Sequence, residues 1–276
     1  MTWKEEVQEI KKRQEFALKM GGSEGIERQH NRGKLTVRER IQGLVDPGSF
    51  NEFMGLMGRA TYEKNELQSV VPKGAVEGFC KLDGRKVVLS GGDFTVRGGS
   101  GGAGGGLGME LPSNRRAMEW RVPYVRLLDA AGGSVRSFED IGRTYLPDGN
   151  SWSSVDVRLL SQIPVVSAVM GSVAGLPAIN ACLAHFNLMV KDTSQLFPGG
   201  PPVVKASLGY DITKEELGGD QIHTRISGVI DNLAENEADA FEQIRRFLSY
   251  LPSNVSELTP RFEIDDDPHR ADESLL

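Results

Sequence analysis

Three glycine-bearing segments hold the residues with the clearest chemical potential. The first, DAAGGS at 129–134, follows an apolar run from Val122 to Leu128. The second, GSVAGL at 171–176, follows another from Ile163 to Met170. Glycines in such turns permit sharp bends and leave backbone N–H groups uncovered. Two N–H groups converging on one oxygen form an oxyanion hole, which stabilises negative charge as it develops there. A helix opening after the second turn would add its dipole. Simple tight turning fits the same pattern, so on spacing alone both readings stand. The third segment is the densest glycine cluster, from Gly98-Gly99-Ser100 to Gly108. Its amides could cradle phosphate, or it could be a flexible loop. No Lys-Ser or Lys-Thr follows, so it is not a P-loop.

Other reactive residue types are less informative. His30, His185, His223 and His269 share no metal-ligand spacing, and His223 reads as a structural hydrogen-bonding group. Cys80 and Cys182 stand alone, without a CxxC pair, and read as buried free thiols in a reducing compartment. Lys34, Arg38 and Arg40 form a basic cluster that reads as a solvated helix face, with phosphate contact as the alternative. Glu139 or Asp140 could serve as a general base, against the reading of an exposed loop. A net charge of -6 argues against nucleic acid as a partner. The N-terminus lacks a signal-peptide apolar region, and Gly171, Gly175 and Pro177 interrupt the longest apolar stretch. A cytoplasmic protein with no membrane span is expected.

The elements that would position these turns can be read from periodicity. A helix is expected over Thr2 to Lys19, with Trp3, Val7, Ile10 and Ala17 or Leu18 on one face. Another should start at Thr36, with Glu39 at capping-box spacing. Asp46-Pro47-Gly48 reads as a turn. Strands are expected over Gly74 to Cys80, Lys86 to Leu89, and Thr95 with Val96; Asp83-Gly84 turns a hairpin between the first two. Val122 to Leu128, Ile163 to Met170 and Phe186 to Val190 read as buried strands. A helix over Leu176 to Ala184 joins the last two in a parallel crossover. A final helix should run from Glu235 to Leu251, with Ala238, Phe241, Ile244 and Leu248 on one face.

Eight segments in this order resemble the biotin-dependent acyl-CoA carboxylase carboxyltransferase β-subunit family. They are QHNRGKLTVRERI (29–41), DPGSF (46–50), GDFTVRGGS (92–100), LDAAGGS (128–134), MGSVAG (170–175), MVKDTS (189–194), GGPPVVKA (199–206) and ELGGDQIHTRISGV (216–229). The resemblance implies an α/β, crotonase-like (ClpP/crotonase) spiral of β-β-α units. It covers a single N-terminal carboxyltransferase domain, taken as residues 1–262, with 263–276 as a linker toward a C-terminal domain. Its implied function is binding acyl-CoA and stabilising a thioester enolate during carboxyl transfer from carboxybiotin. The resemblance implies that Gly132, Gly133, Ser134, Gly175 and Leu176 shape the catalytic turns, with the Ser134 and Leu176 amides facing the thioester oxygen. Gly98, Gly99 and Ser100 would lie beside the CoA arm, and Lys34, Arg38 and Arg40 could meet CoA phosphates. Biotin would arrive on a partner, and no metal is implied for this chain. Expected partners are a carboxyltransferase C-terminal half, a biotin carboxylase with its carrier, and further copies of the chain. Ala130 and Ala131, and Leu176-Pro177, depart from the family's usual Ser-Gly and glycine. Alternatives are a self-sufficient acyl-CoA decarboxylase and a non-catalytic scaffold subunit.

Overall fold

The computed structural model describes residues 3–99, 112–133, 149–261, 263, 265–267 and 269–275. Helix α1 (Lys4–Leu18) leads into α2 (Ser23–His30) and α3 (Val37–Leu44). At the start of α3, the Thr36 hydroxyl accepts from the Glu39 N–H, and the Glu39 carboxylate accepts from the Thr36 N–H at 2.7 Å. The expected capping box is therefore formed. The α1 stripe behaves differently from expectation. Only Ala17 is buried, while Trp3, Val7, Ile10 and Leu18 face outward.

The main sheet orders its strands β1-β4-β5-β6-β7-β8-β10, with β9 also paired to β7. The strands are β1 (Asn51–Phe53), β4 (Ala75–Leu82), β5 (Arg85–Gly92), β6 (Tyr124–Ala130), β7 (Val165–Ala174), β8 (Phe186–Val190), β9 (Gln195–Phe197) and β10 (Asn232–Ala234). β4 pairs antiparallel with both β1 and β5; from β5 onward every pairing is parallel. Asp83 and Gly84, both at positive φ, turn the β4–β5 hairpin as expected. A separate hairpin joins β2 (Gly58–Glu63) to β3 (Glu66–Pro72) through Lys64 and Asn65, also at positive φ. The expected strand at Thr95 and Val96 is not formed. These residues turn toward a 3-10 segment, Arg97–Gly99, and the Asp93 carboxylate accepts both the N–H and the hydroxyl of Thr95.

Both faces of the parallel strands are covered, which explains their near-continuous apolar sequence. On one face Val87, Leu89, Val125, Leu127, Val166, Ala168 and Met170 pack with α3 and α9 (Glu237–Ser249). On the other, Val88, Tyr124 and Val165 pack with α4 (Pro112–Trp120) and α5 (Gly149–Leu159). Ala178 and Ala181 of α6 (Leu176–Cys182) pack on Val169, Val173 and Met189. The crossover β7–α6–β8 is as expected. In α9 the buried face includes Ala240, whereas Ala238 is exposed. After β9 come α7 (Pro201–Leu208), α8 (Lys214–Gly218) and a π turn, Ile222–Ile226. Beyond 262 the described residues hold one 3-10 turn, Glu273–Leu275. No helix among the described residues is long and apolar enough to cross a membrane.

Candidate active site

Adjacent parallel strands β6 and β7 deliver two glycine turns to the same end of the sheet. Gly132 has φ 82° and Gly175 has φ 70°, a region that side-chain-bearing residues rarely adopt. A Cβ on Gly132 would lie 2.8 Å from the carbonyl oxygen of Ala174, and one on Gly175 would lie 3.7 Å from Cα of Gly132. The two turns are therefore in contact. The third segment joins them: the Ala131 N–H donates to the Gly98 carbonyl at 2.8 Å, and Gly99 abuts the backbone of Asp129 and Ala130.

The state of the amides decides what this arrangement can do. The Gly175 N–H is used internally, donating to the carbonyls of Phe197 and Pro198. The N–H groups of Gly132, Gly133 and Leu176 have no hydrogen-bond partner among the described residues. All three positions are at least partly open to solvent. Leu176 opens α6, where an N–H has no partner within the helix. Pro177 follows within the first turn, where a missing N–H removes no helix bond. α6 has only 7 residues, so the amide itself matters more here than a helix dipole. Ser100, Ser134, Glu139 and Asp140 lie outside the described residues.

Below the turns sits a buried charge cluster. The Asp129 carboxylate accepts from Lys34 Nζ at 2.9 and 3.0 Å, Arg40 at 3.0 Å and Gln29 at 2.9 Å. Arg40 also donates to Glu237 and to the Met170 carbonyl. Burial pulls the Lys34 ammonium below its ordinary value, with Asp129 opposing. Burial also acts to lower the Arg40 guanidinium, but its bonds to Glu237 and Asp129 outweigh this and raise it. The solvated-face reading of this basic cluster is therefore corrected. Lys34 and Arg40 face inward because buried carboxylates await them, and Arg38 pairs with Glu52 at 2.9 Å. Burial also takes Lys34 and Arg40 away from CoA phosphates. Nothing in the spacing of Gln29 or Glu237 announces their part in this buried cluster. A carboxylate closing a buried strand was the available signal for Asp129.

The remaining candidates settle into structural roles. His223 donates from Nε2 to the Leu196 carbonyl at 2.7 Å and accepts at Nδ1 from the Ser227 hydroxyl. His185 accepts at Nδ1 from the Val165 N–H and donates from Nε2 to the Leu160 carbonyl. Cys80 is buried and its thiol is pushed up to about 12 by burial. Cys182 is exposed, correcting its expected burial: it sits on the open side of short α6. No group of His, Cys, Asp and Glu among the described residues could hold a metal.

The sheet of mostly parallel strands covered by helices has the α/β, crotonase-like fold. The chain belongs to the carboxyl transferase domain family, whose model matches residues 28–276. It is 36% identical over 281 residues to a propionyl-CoA carboxylase carboxyltransferase subunit from Haloferax mediterranei, covering 100% of this chain and 52% of that protein. It is 37% identical over 260 residues to methylmalonyl-CoA decarboxylase subunit alpha of Veillonella parvula, covering 92% of this chain and 49% of that one. Among solved structures, transcarboxylase 12S with hydrolysed methylmalonyl-CoA bound superposes with a TM-score of 0.81 at 29% identity, over 97% of this chain and 52% of its own. The chain thus spans about half the length of these relatives.

Proposed function

We propose that this chain is the acyl-CoA half of a biotin-dependent carboxyltransferase. In this reading the turns around Gly132, Gly133 and Ser134, and around Gly175 and Leu176, hold the thioester oxygen. Gly98, Gly99 and Ser100 flank the CoA arm. The observation that carries the reading is the contact between two turns, each bearing an unpaired N–H, at the ends of neighbouring strands.

The chemistry asks little of side chains. Breaking the bond from the α-carbon of a thioester to hydrogen, or to a carboxylate, leaves its electron pair on an enolate whose negative charge sits largely on the thioester oxygen. Fixed N–H donors at that oxygen bind the enolate more strongly than the ground-state carbonyl, and so lower the barrier. Biotin, carried on a partner, supplies or accepts the carboxyl group when bound. This chain's residues orient the thioester and present N–H donors to its oxygen. The same enolate arises in carboxylation and decarboxylation, which fits relatives named for both. The two unpaired thiols favour a cytoplasmic setting.

Titration calorimetry with propionyl-CoA and methylmalonyl-CoA tests the reading. Binding of at least one is expected, tighter than that of a thioether analogue lacking the carbonyl oxygen. Absence of binding by either would remove the basis of the proposal. A second reading, a self-sufficient decarboxylase, draws on the decarboxylase relative. Release of CO₂ from methylmalonyl-CoA by this chain alone, without biotin, would favour it.

A further inference from the structure

The amide site needs its two turns at a fixed offset, yet the strand carrying the second turn is irregular just before it. Along β7, Val166 to Val169 pair with β8, and Ser172 to Ala174 pair with β9. On the other edge, Leu128 pairs with Val169 but Ala130 pairs with Val173, so β7 carries two residues more than β6 across this stretch. Met170 and Gly171 have no ladder partner among the described residues on either side. Bulges of this kind re-aim the residues beyond them.

The bulge is occupied rather than loose. The Met170 carbonyl accepts from Arg40 Nη2 at 2.8 Å. The same guanidinium donates through Nη1 to Asp129 at 3.0 Å, opposite the bulge, and through Nε to Glu237 at 2.9 Å. Lys34 closes on both Asp129 oxygens. A Cβ on Gly171 would lie 2.1 Å from Asp129 Oδ1, so the carboxylate fills the space a side chain would take. Arg40 is fully buried and reaches the site only through the strands.

We propose that Arg40, held by Asp129, Lys34 and Glu237, is a positioning residue that fixes the β6–β7 offset and thereby the spacing of the two amide-bearing turns. This rests on the amide-site reading above. Stability alone does not account for the cluster, since buried ion networks are often replaceable by apolar residues without loss. The planar guanidinium holds Glu237 through two N–H groups while also donating to Asp129 and the Met170 carbonyl, four bonds in a fixed fork; an ammonium has three donors on a flexible stem.

The test uses the full chain and two probes. One is a CoA analogue with an anionic nitronate in place of the thioester enolate; the other is a neutral thioether-CoA without that oxygen. In Arg40→Lys, which keeps the charge, nitronate affinity is expected to fall roughly tenfold to a hundredfold, the scale of loss from an ångström of misplacement. Thioether affinity should stay within about threefold, because uniform binding does not use the offset. The double variant Arg40→Met/Glu237→Met removes one charge of each sign, preserving the balance, and should behave alike. Amide ¹⁵N shifts of Gly132 and Gly175 should move in both variants. If both probes weaken in parallel, or the two glycine shifts stay put, the positioning role is wrong. A wild-type chain that binds both probes equally would instead sink the amide-site reading, and the glycine shifts would still decide the fate of the offset lock.

Discussion

Leu176 is the first residue of α6, and its N–H has no partner among the described residues. Proline is therefore an informative replacement. It lacks the N–H, and it is well accommodated at the first helical position because that N–H makes no helix bond. Leu176→Pro should keep the fold, with a melting midpoint within a few degrees of wild type. It should lower affinity for the nitronate analogue by roughly a hundredfold or more, the scale of losing one oxyanion donor. An unchanged nitronate affinity would take Leu176 out of the site. Gly132 and Gly175 were legible in the sequence because positive φ and close approach favour a residue without Cβ. The buried partners of Lys34 and Arg40 were not. A basic residue in or just before a short helix reads as solvated until a carboxylate more than 80 residues away is brought beneath it, as Asp129 is.

At the scale of elements, Asp46 links three of them. It follows α3, and its carboxylate accepts from the Asp83 N–H at 2.9 Å and the Gly84 N–H at 2.8 Å in the β4–β5 turn. Arg245 of α9 approaches it at 3.4 Å and also pairs with Asp83. The Gly84 N–H is the largest cause of a lowered Asp46 pKa, below its ordinary 3.8; slight burial opposes, and the Asp83 N–H and Arg245 reinforce. A carboxylate whose folded pKa is depressed contributes stability that is present above the unfolded value and lost as pH falls through the folded one. The melting midpoint of wild type should therefore exceed that of Asp46→Asn at neutral pH. The gap should begin to close near about pH 4 and vanish in stronger acid. A gap that persists unchanged in acid would exclude the carboxylate as its source. The Asp83-Gly84 hairpin was legible because Asp-Gly strongly favours such a turn. The Lys64-Asn65 hairpin was not, because neither residue announces positive φ as glycine does. Thr95 and Val96 misled for the opposite reason: β-branched residues suggest a strand, but Asp93 captures the Thr95 N–H and turns the chain.

At the scale of the whole molecule, the chain spans about half the length of its relatives, and it presents exposed apolar side chains after β7. Ile179, Val203, Leu208, Tyr210 and Ile226 are each about half exposed or more. On the proposed reading, a carboxyltransferase C-terminal half brings biotin to the amide turns, and exposed side chains among these are where its contact is tested. The chain alone should then bind acyl-CoA but leave it uncarboxylated when given carboxylated biotin. Adding the C-terminal half of a carboxyltransferase relative should produce carboxyl transfer. Burying one leucine or isoleucine side chain contributes roughly 1.5–3 kcal/mol, so placing a charge there should weaken association at least about tenfold. Leu208→Glu and Ile226→Glu should thus raise the concentration of C-terminal half needed for transfer, while acyl-CoA affinity of the isolated chain stays as in wild type. Sedimentation of the mixture reads association, and calorimetry reads the acyl-CoA site independently. Carboxyl transfer by the chain alone would overturn the division of labour. Equal association by wild type and both variants would move the partner to another face. The apolar stripe of α1, exposed at Trp3, Val7, Ile10 and Leu18, is then the next face to test, because its amphipathic pattern is already present in the sequence without a partner among the described residues.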